Sequence, residues 1–129
     1  MEVGVNKFWL RVVWMVAVTA VLLGSLSPSL APPSVWDLDK AMHFSAFGAL
    51  AAMVPFAAAR TSRRLLLLAV LLAVGGSIEI LQEFVPGRSA SILDFAADTA
   101  GLVTGGLVGL WLYSYLPEPL RKRFIPSGN

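Results

Sequence analysis

Four long apolar stretches, residues 8–26, 40–59, 65–84 and 92–116, alternate with short polar connections along the chain. The first is broken only by Arg11 and by small polar residues near its end. The second holds His43 and Pro55, the third is uncharged until Glu79, and the fourth has Asp94 and Asp98 in its first two turns. A hydrocarbon core about 30 Å thick takes roughly 20 helical residues to cross, so each stretch is long enough to span. In lipid, segments this short satisfy their backbone hydrogen bonds only as helices. The pattern predicts one all-α domain over residues 1–129, an integral membrane four-helix bundle. Its connections are a Pro- and Ser-rich segment (27–39), the basic turn Arg60-Thr61-Ser62-Arg63-Arg64, and residues 85–91 with Pro86-Gly87 as turn chemistry. The first stretch also fits a cleaved leader, with Lys7 and Arg11 ahead of Val12–Leu23 and Ser29-Leu30-Ala31 as a small-residue cleavage site. Its length favours a retained helix.

Composition agrees with the pattern. The 129 residues are 57% hydrophobic and 14% charged, against about 25% charged in soluble domains. Soluble and disordered classes are excluded. The net charge is +2, too slight to furnish the basic face of a nucleic-acid binder, so no nucleic acid is expected as a partner. With no cysteine, disulfides, thiolate metal sites and thiol catalysis are excluded.

Charge placement predicts orientation. With four spans, the N-terminus, the middle connection and the C-terminus share one side. That side carries Lys7, Arg11, Arg60, Arg63, Arg64, Arg121, Lys122 and Arg123, whereas the other has only Lys40 and Arg88. Basic residues near span ends are retained in the cytoplasm, so both termini are expected there. Trp36 and Phe84 outside, and Trp9, Trp111, Tyr113 and Tyr115 inside, fit interfacial belts. Trp14 falls within the first span and is read as packing. Arg121-Lys122-Arg123 suits anionic headgroups.

The polar residues inside the spans then gather at the extracytoplasmic end. Lys40, His43 and Phe47 share one face of the second helix by their spacing of three and four, as do Glu79, Gln82 and Glu83 on the third and Asp94 and Asp98 on the fourth. Carboxylates within a span face the bundle interior or water, so one shared cluster is expected, with Arg88 above it. Ser91 has the position of a helix cap. Asp37 and Asp39 precede the second helix, where acids suit its positive end, and Lys40 is read as snorkelling to the interface. Gly101, Gly105 and Gly109 recur every four residues, which permits close helix contact within the bundle or a homo-oligomer seam. Gly75-Gly76 is read as packing near Glu79.

The ordered set Asp39-Lys40-x-x-His43-x-x-x-Phe47, then Glu79-x-x-Gln82-x-Phe84-x-Pro86-x-Arg88-x-x-Ser91-x-x-Asp94, then Gly101 and Gly105, resembles the VanZ-like family. These are small multi-span bacterial proteins named for a teicoplanin-resistance accessory protein. The resemblance runs from Asp39 to about Gly109. It implies a multi-pass protein of the bacterial cytoplasmic (inner) membrane with a role at the cell envelope, and glycopeptide tolerance as the namesake phenotype. It supplies no reaction. This chain carries Asp98 where the family usually has Asn, which adds a titratable group to the cluster.

Two function classes compete. In the first, Lys40, His43, Glu79, Gln82, Arg88, Asp94 and Asp98 bind an anionic envelope lipid, a lipid-linked cell-wall intermediate or a partner protein, with Arg88 suited to two-point recognition of phosphate or carboxylate. In the second, a small intramembrane enzyme acts on a lipid-linked phosphate or sugar, with His43 as general acid/base, Glu79 or Asp94 as its orienter and Arg88 stabilising charge. No nucleophile is identifiable, which favours binding. A proton-coupled transporter is disfavoured because the inner half of the third helix is wholly apolar. Each key residue also has a structural reading. His43 would then be hydrogen-bonded to Glu79 or Asp94, and Arg88 ion-paired with Asp94 or Glu83. Neither cofactor nor metal is expected, since carboxylate-bridged metal bundles use a Glu-x-x-His pair on each of two helices and this chain has none.

Overall fold

The computed structural model describes residues 7–30 and 38–124. Among these there is no strand, and the chain forms α1 (Lys7–Ser25), a 3-10 turn (Pro28–Leu30), α2 (Leu38–Ala57), α3 (Thr61–Gln82), α4 (Ile92–Ser114) and α5 (Glu118–Phe124). Trp36 and Asp37 lie outside the described residues.

Helices and apolar stretches coincide except at their edges. α3 begins at Thr61, before the apolar run at Leu65, because helix geometry does not require an apolar first turn. Arg60 is extended there, and the Arg64 N–H already donates to its carbonyl. Arg64 reaches back from that turn, its Nε donating to the Ala58 carbonyl at 2.9 Å and Nη2 to the Pro55 carbonyl at 3.4 Å. It thereby satisfies carbonyls that the end of α2 leaves open. The turn before α4 has Gly87 at φ +78 and an Arg88 N–H bond to the Val85 carbonyl, the geometry that a Pro-Gly pair favours. Ser91 caps α4, its Oγ accepting the Asp94 N–H at 3.2 Å. α5 was not foreseen. It follows Pro117, whose carbonyl accepts the N–H groups of Leu120 and Arg121.

Successive helices run antiparallel, which makes α2 and α4 parallel. Their register is fixed by three glycines. A Cβ on Gly101, Gly105 or Gly109 would overlap backbone of Phe44, Gly48 or Ala52 respectively. The glycine face is thus covered by α2 within the chain, so a second copy would have to use another face. α1 packs on α2 and α3 and is tied by Trp14, whose Nε1 donates to the Leu50 carbonyl at 3.0 Å. The core comprises Trp14, Phe47, Leu50, Ala51, Val54, Leu71, Ile78 and Leu102.

Outside the core, apolar side chains face outward, among them Leu65, Leu66, Ile80, Val103, Leu107 and Trp111. Such a surface belongs in lipid and not in water. α1, α3 and α4 are long and apolar enough to cross a membrane. α2 has the length, 20 residues, but Asp39, Lys40 and His43 lie in its first two turns. Trp9, Phe84, Trp111 and Tyr115 are exposed. Tyr113 departs from its expected place in the interfacial belt. It is buried, with Phe56 edge-on to its ring and the Arg64 guanidinium 5.0 Å from the ring centre.

Candidate functional site

Antiparallel neighbours bring the C-terminal ends of α1 and α3 together with the N-terminal ends of α2 and α4, and the polar residues of the spans meet at this end. His43, Glu79, Gln82, Asp94 and Asp98 are all buried. Six residues separate Asp98 from the start of α4, placing it roughly 9 Å below that helix end.

The parallel register of α2 and α4 decides who pairs with whom. Phe44 lies against Gly101, so His43 meets Asp98 one turn earlier on α4. His43 Nδ1 and Asp98 Oδ1 are 2.9 Å apart. The partner is therefore Asp98, and not Glu79 or Asp94 as the structural reading of His43 expected. One turn toward the helix ends, Lys40 Nζ stands 3.8 Å from Asp94 Oδ1 and 3.6 Å from Asp39 Oδ1. Lys40 is thus half-buried in an ionic ladder between α2 and α4.

Glu79 and Glu83 share a sequence face but take different environments. Glu79 Oε2 accepts the Ser91 N–H at 2.7 Å, and Glu83 Oε2 accepts the Ala90 N–H at 2.8 Å. Both carboxylates thus hold the α3–α4 connection, but Glu79 is buried within the cluster whereas Glu83 is exposed. Gln82 also departs from the common face. Its Nε2 donates to the Ser25 carbonyl at 2.9 Å and fastens the end of α1 to α3.

Four buried polar atoms of this end have no hydrogen-bond partner among the described residues: Glu79 Oε1, Arg88 Nε, Asp94 Oδ1 and Asp98 Oδ2. Buried polar atoms are nearly always paired, so these are the atoms from which to argue a ligand. Arg88 forms no ion pair with Asp94 or Glu83, contrary to its structural reading. It instead lines a cleft of about 410 Å³ with Asp39 and His43. The rest of that cleft is mainly apolar, with Ala20, Val21 and Gly24 of α1 and Met42, Ala46 and Phe47 of α2 among its walls. The α1 wall escaped sequence reasoning, although Ala20 and Gly24 are small residues one turn apart.

Gly75 has the close-packing place expected of it, set against Asp98 and Phe47. The absence of a side chain there leaves room for the Asp98 carboxylate between α3 and α4.

Fold and polar end together define a helical membrane protein with a buried ionic cluster opening on an amphipathic cleft. The chain belongs to the VanZ/LLP1 family, whose model matches residues 4–116. No curated protein and no solved structure matches it.

Proposed function

We propose that this VanZ-family membrane protein binds the anionic headgroup of an envelope lipid or lipid-linked intermediate in the cleft between α1 and α2. The observation that carries this reading is Arg88, a guanidinium without an ion-pair partner among the described residues, set at a cleft of about 410 Å³ whose other walls are largely apolar. That volume lies within the roughly 300–1,000 Å³ of small-molecule sites. Apolar walls suit an alkyl chain, and the guanidinium suits two-point binding of phosphate or carboxylate. Orientation follows the basic residues, with both termini and Arg60–Arg64 cytoplasmic and the cleft at the extracytoplasmic face of the bacterial inner membrane. A contribution to teicoplanin tolerance would follow if the bound lipid is a cell-wall intermediate.

Native mass spectrometry in mild detergent tests this reading. Wild type is expected to retain an anionic lipid that Arg88→Ala loses while keeping its helical content. Equal retention by both proteins would remove Arg88 from the site and refute the proposal.

The His43–Asp98 distance favours a second reading. An imidazole oriented by a carboxylate is the arrangement of a general base, and it would serve an intramembrane enzyme acting on a lipid-linked phosphate or sugar. Asp98 then takes the orienting role that sequence reasoning assigned to Glu79 or Asp94. Such an enzyme would turn over lipid-linked phosphate in vesicles and lose turnover, but not lipid affinity, in His43→Ala. Absence of turnover by wild type would leave binding alone.

A further inference from the structure

The cluster below the cleft has an unbalanced charge distribution that lipid binding does not address. Glu79, Asp94 and Asp98 are buried carboxyl groups from two helices. Lys40 stands by Asp94 and Asp39, and Arg88 forms no ion pair with any of the three. His43, 2.9 Å from Asp98, is a basic side chain set among these carboxyl groups.

We propose that His43, Glu79 and Asp98 bind one divalent transition-metal cation, Zn²⁺ or Mn²⁺. One ligand atom from each lies within 4.8 Å of the others, and all three residues are buried. They come from α2, α3 and α4 respectively, so a cation there would join three helices.

Two unpartnered atoms point independently to the same conclusion. Glu79 Oε1 and Asp98 Oδ2 are buried without a hydrogen bond, on side chains of residues only 7% and 1% exposed. In Glu79 the second oxygen, Oε2, is already held by the Ser91 N–H, and in Asp98 the second oxygen, Oδ1, stands 2.9 Å from His43 Nδ1, a pair between which a cation would replace the shared proton. Glu79 thus has the form in which carboxylate ligands are usually presented, oriented through one oxygen and open at the other. Gly75 keeps the space beside Asp98 Oδ2 clear of a side chain.

Charge and donor type select the class of ion. A dication with two carboxylates and a neutral imidazole sums to zero, which removes the penalty of burying unpaired charge. One nitrogen and two oxygens suit zinc, which accepts both at about 2.0–2.2 Å and leaves a fourth position open in a three-ligand site. Manganese accepts the same donors. Magnesium, which prefers oxygen in a full octahedron and gives up water reluctantly, is a poor match. Donors at bonding distance from a tetrahedral ion stand about 3.4 Å apart, so the wider separations in the 4.8 Å group have to close while His43 and Asp98, 2.9 Å apart, open slightly.

The missing Glu-x-x-His pair does not weigh against this site. That spacing places two ligands on one helix, whereas here each ligand comes from a different helix, and no local spacing announces it. The proposal does not rest on the lipid reading, because all three ligands lie in the cluster and Arg88 takes no part.

The test uses the full chain, purified in detergent and stripped with a chelator, and titrated calorimetrically with Zn²⁺, Mn²⁺ and Mg²⁺. Wild type is expected to bind one Zn²⁺ or Mn²⁺ per chain and Mg²⁺ far more weakly. Asp98→Asn, which keeps an acceptor for His43, and Glu79→Gln are each expected to weaken binding by roughly 10–100-fold or more. Glu83→Gln alters an exposed carboxylate and should change nothing. Pulsed EPR of Mn²⁺ on wild type should show coupling to an imidazole nitrogen, a readout that needs no variant. Absence of saturable binding by helical wild type, equal binding by all variants, or bound Mn²⁺ without nitrogen coupling would each overturn the proposal.

Discussion

A Cβ built on Gly75 would lie 2.9 Å from Asp98 Oδ2 and 3.3 Å from the Phe47 ring. Neither neighbour can withdraw easily, since Phe47 and Asp98 are each 1% exposed and Asp98 is held by His43. One residue on, a Cβ at Gly76 would meet Phe95 at an ordinary 3.6 Å. Gly75→Ala is therefore expected to destabilise the fold by about 1–3 kcal/mol through overpacking. Gly76→Ala should gain up to about 1 kcal/mol from helix propensity. Thermal unfolding of both variants in one detergent measures the contrast, and equal melting temperatures would refute the steric account. That His43, Glu79, Asp94 and Asp98 belong together was legible from their common depth in alternating spans, because polar side chains within a span turn to the bundle interior. Who bonds to whom was not legible. His43 could be assigned to Asp98 only through the offset between two helices, which no spacing within either helix encodes.

At the scale of elements, α2 and α4 depend on each other. Phe44, Gly48 and Ala52 oppose Gly101, Gly105 and Gly109 over three turns, and the ladder of Lys40 with Asp94 and His43 with Asp98 continues the same seam toward the helix ends. Small residues let helices associate in lipid by close backbone packing, and here that closeness also brings the ionic groups within reach. Gly105→Ala forces α2 and α4 apart against the Gly48 backbone, at a cost of about 1–3 kcal/mol or more, and should loosen the His43–Asp98 pair with them. Gly106→Ala, on the same helix and 3.9 Å from Leu68 Cδ2, is the control. Unfolding by SDS in mixed micelles, followed by helical circular dichroism, should show the first variant shifted strongly and the second little. The four-residue glycine repeat was visible in sequence. Its partner was not, because a glycine stripe states only that something approaches closely.

For the molecule as a whole, the two ends of the bundle differ in kind. One gathers Asp39, His43, Glu79, Arg88, Asp94 and Asp98, and the other Arg11, Arg60, Arg63, Arg64 and Arg121, with outward-facing apolar side chains between. Under the proposed orientation, a cysteine at Ser89 is expected to react with a membrane-impermeant maleimide added to intact cells, and a cysteine at Ser62 only after permeabilisation. The chain has no native cysteine, and both positions are exposed, so the label reports the introduced site alone. The reverse pattern would invert the bundle and place the cleft in the cytoplasm.

That the chain is helical, that it has four long helices and that its polar residues collect at one end could all be read from the order of its residues. Each of these follows from local arithmetic, the length of an apolar run and the helical repeat. The His43–Asp98 bond, the withdrawal of Gln82 and Glu83 to tasks of fastening, the burial of Tyr113 and the α1 wall of the cleft emerge only from the packing of the helices. All of these depend on the register and approach of helices distant in sequence. That register is set by where small residues allow two backbones to touch, a property that belongs to a pair of helices and to neither one alone.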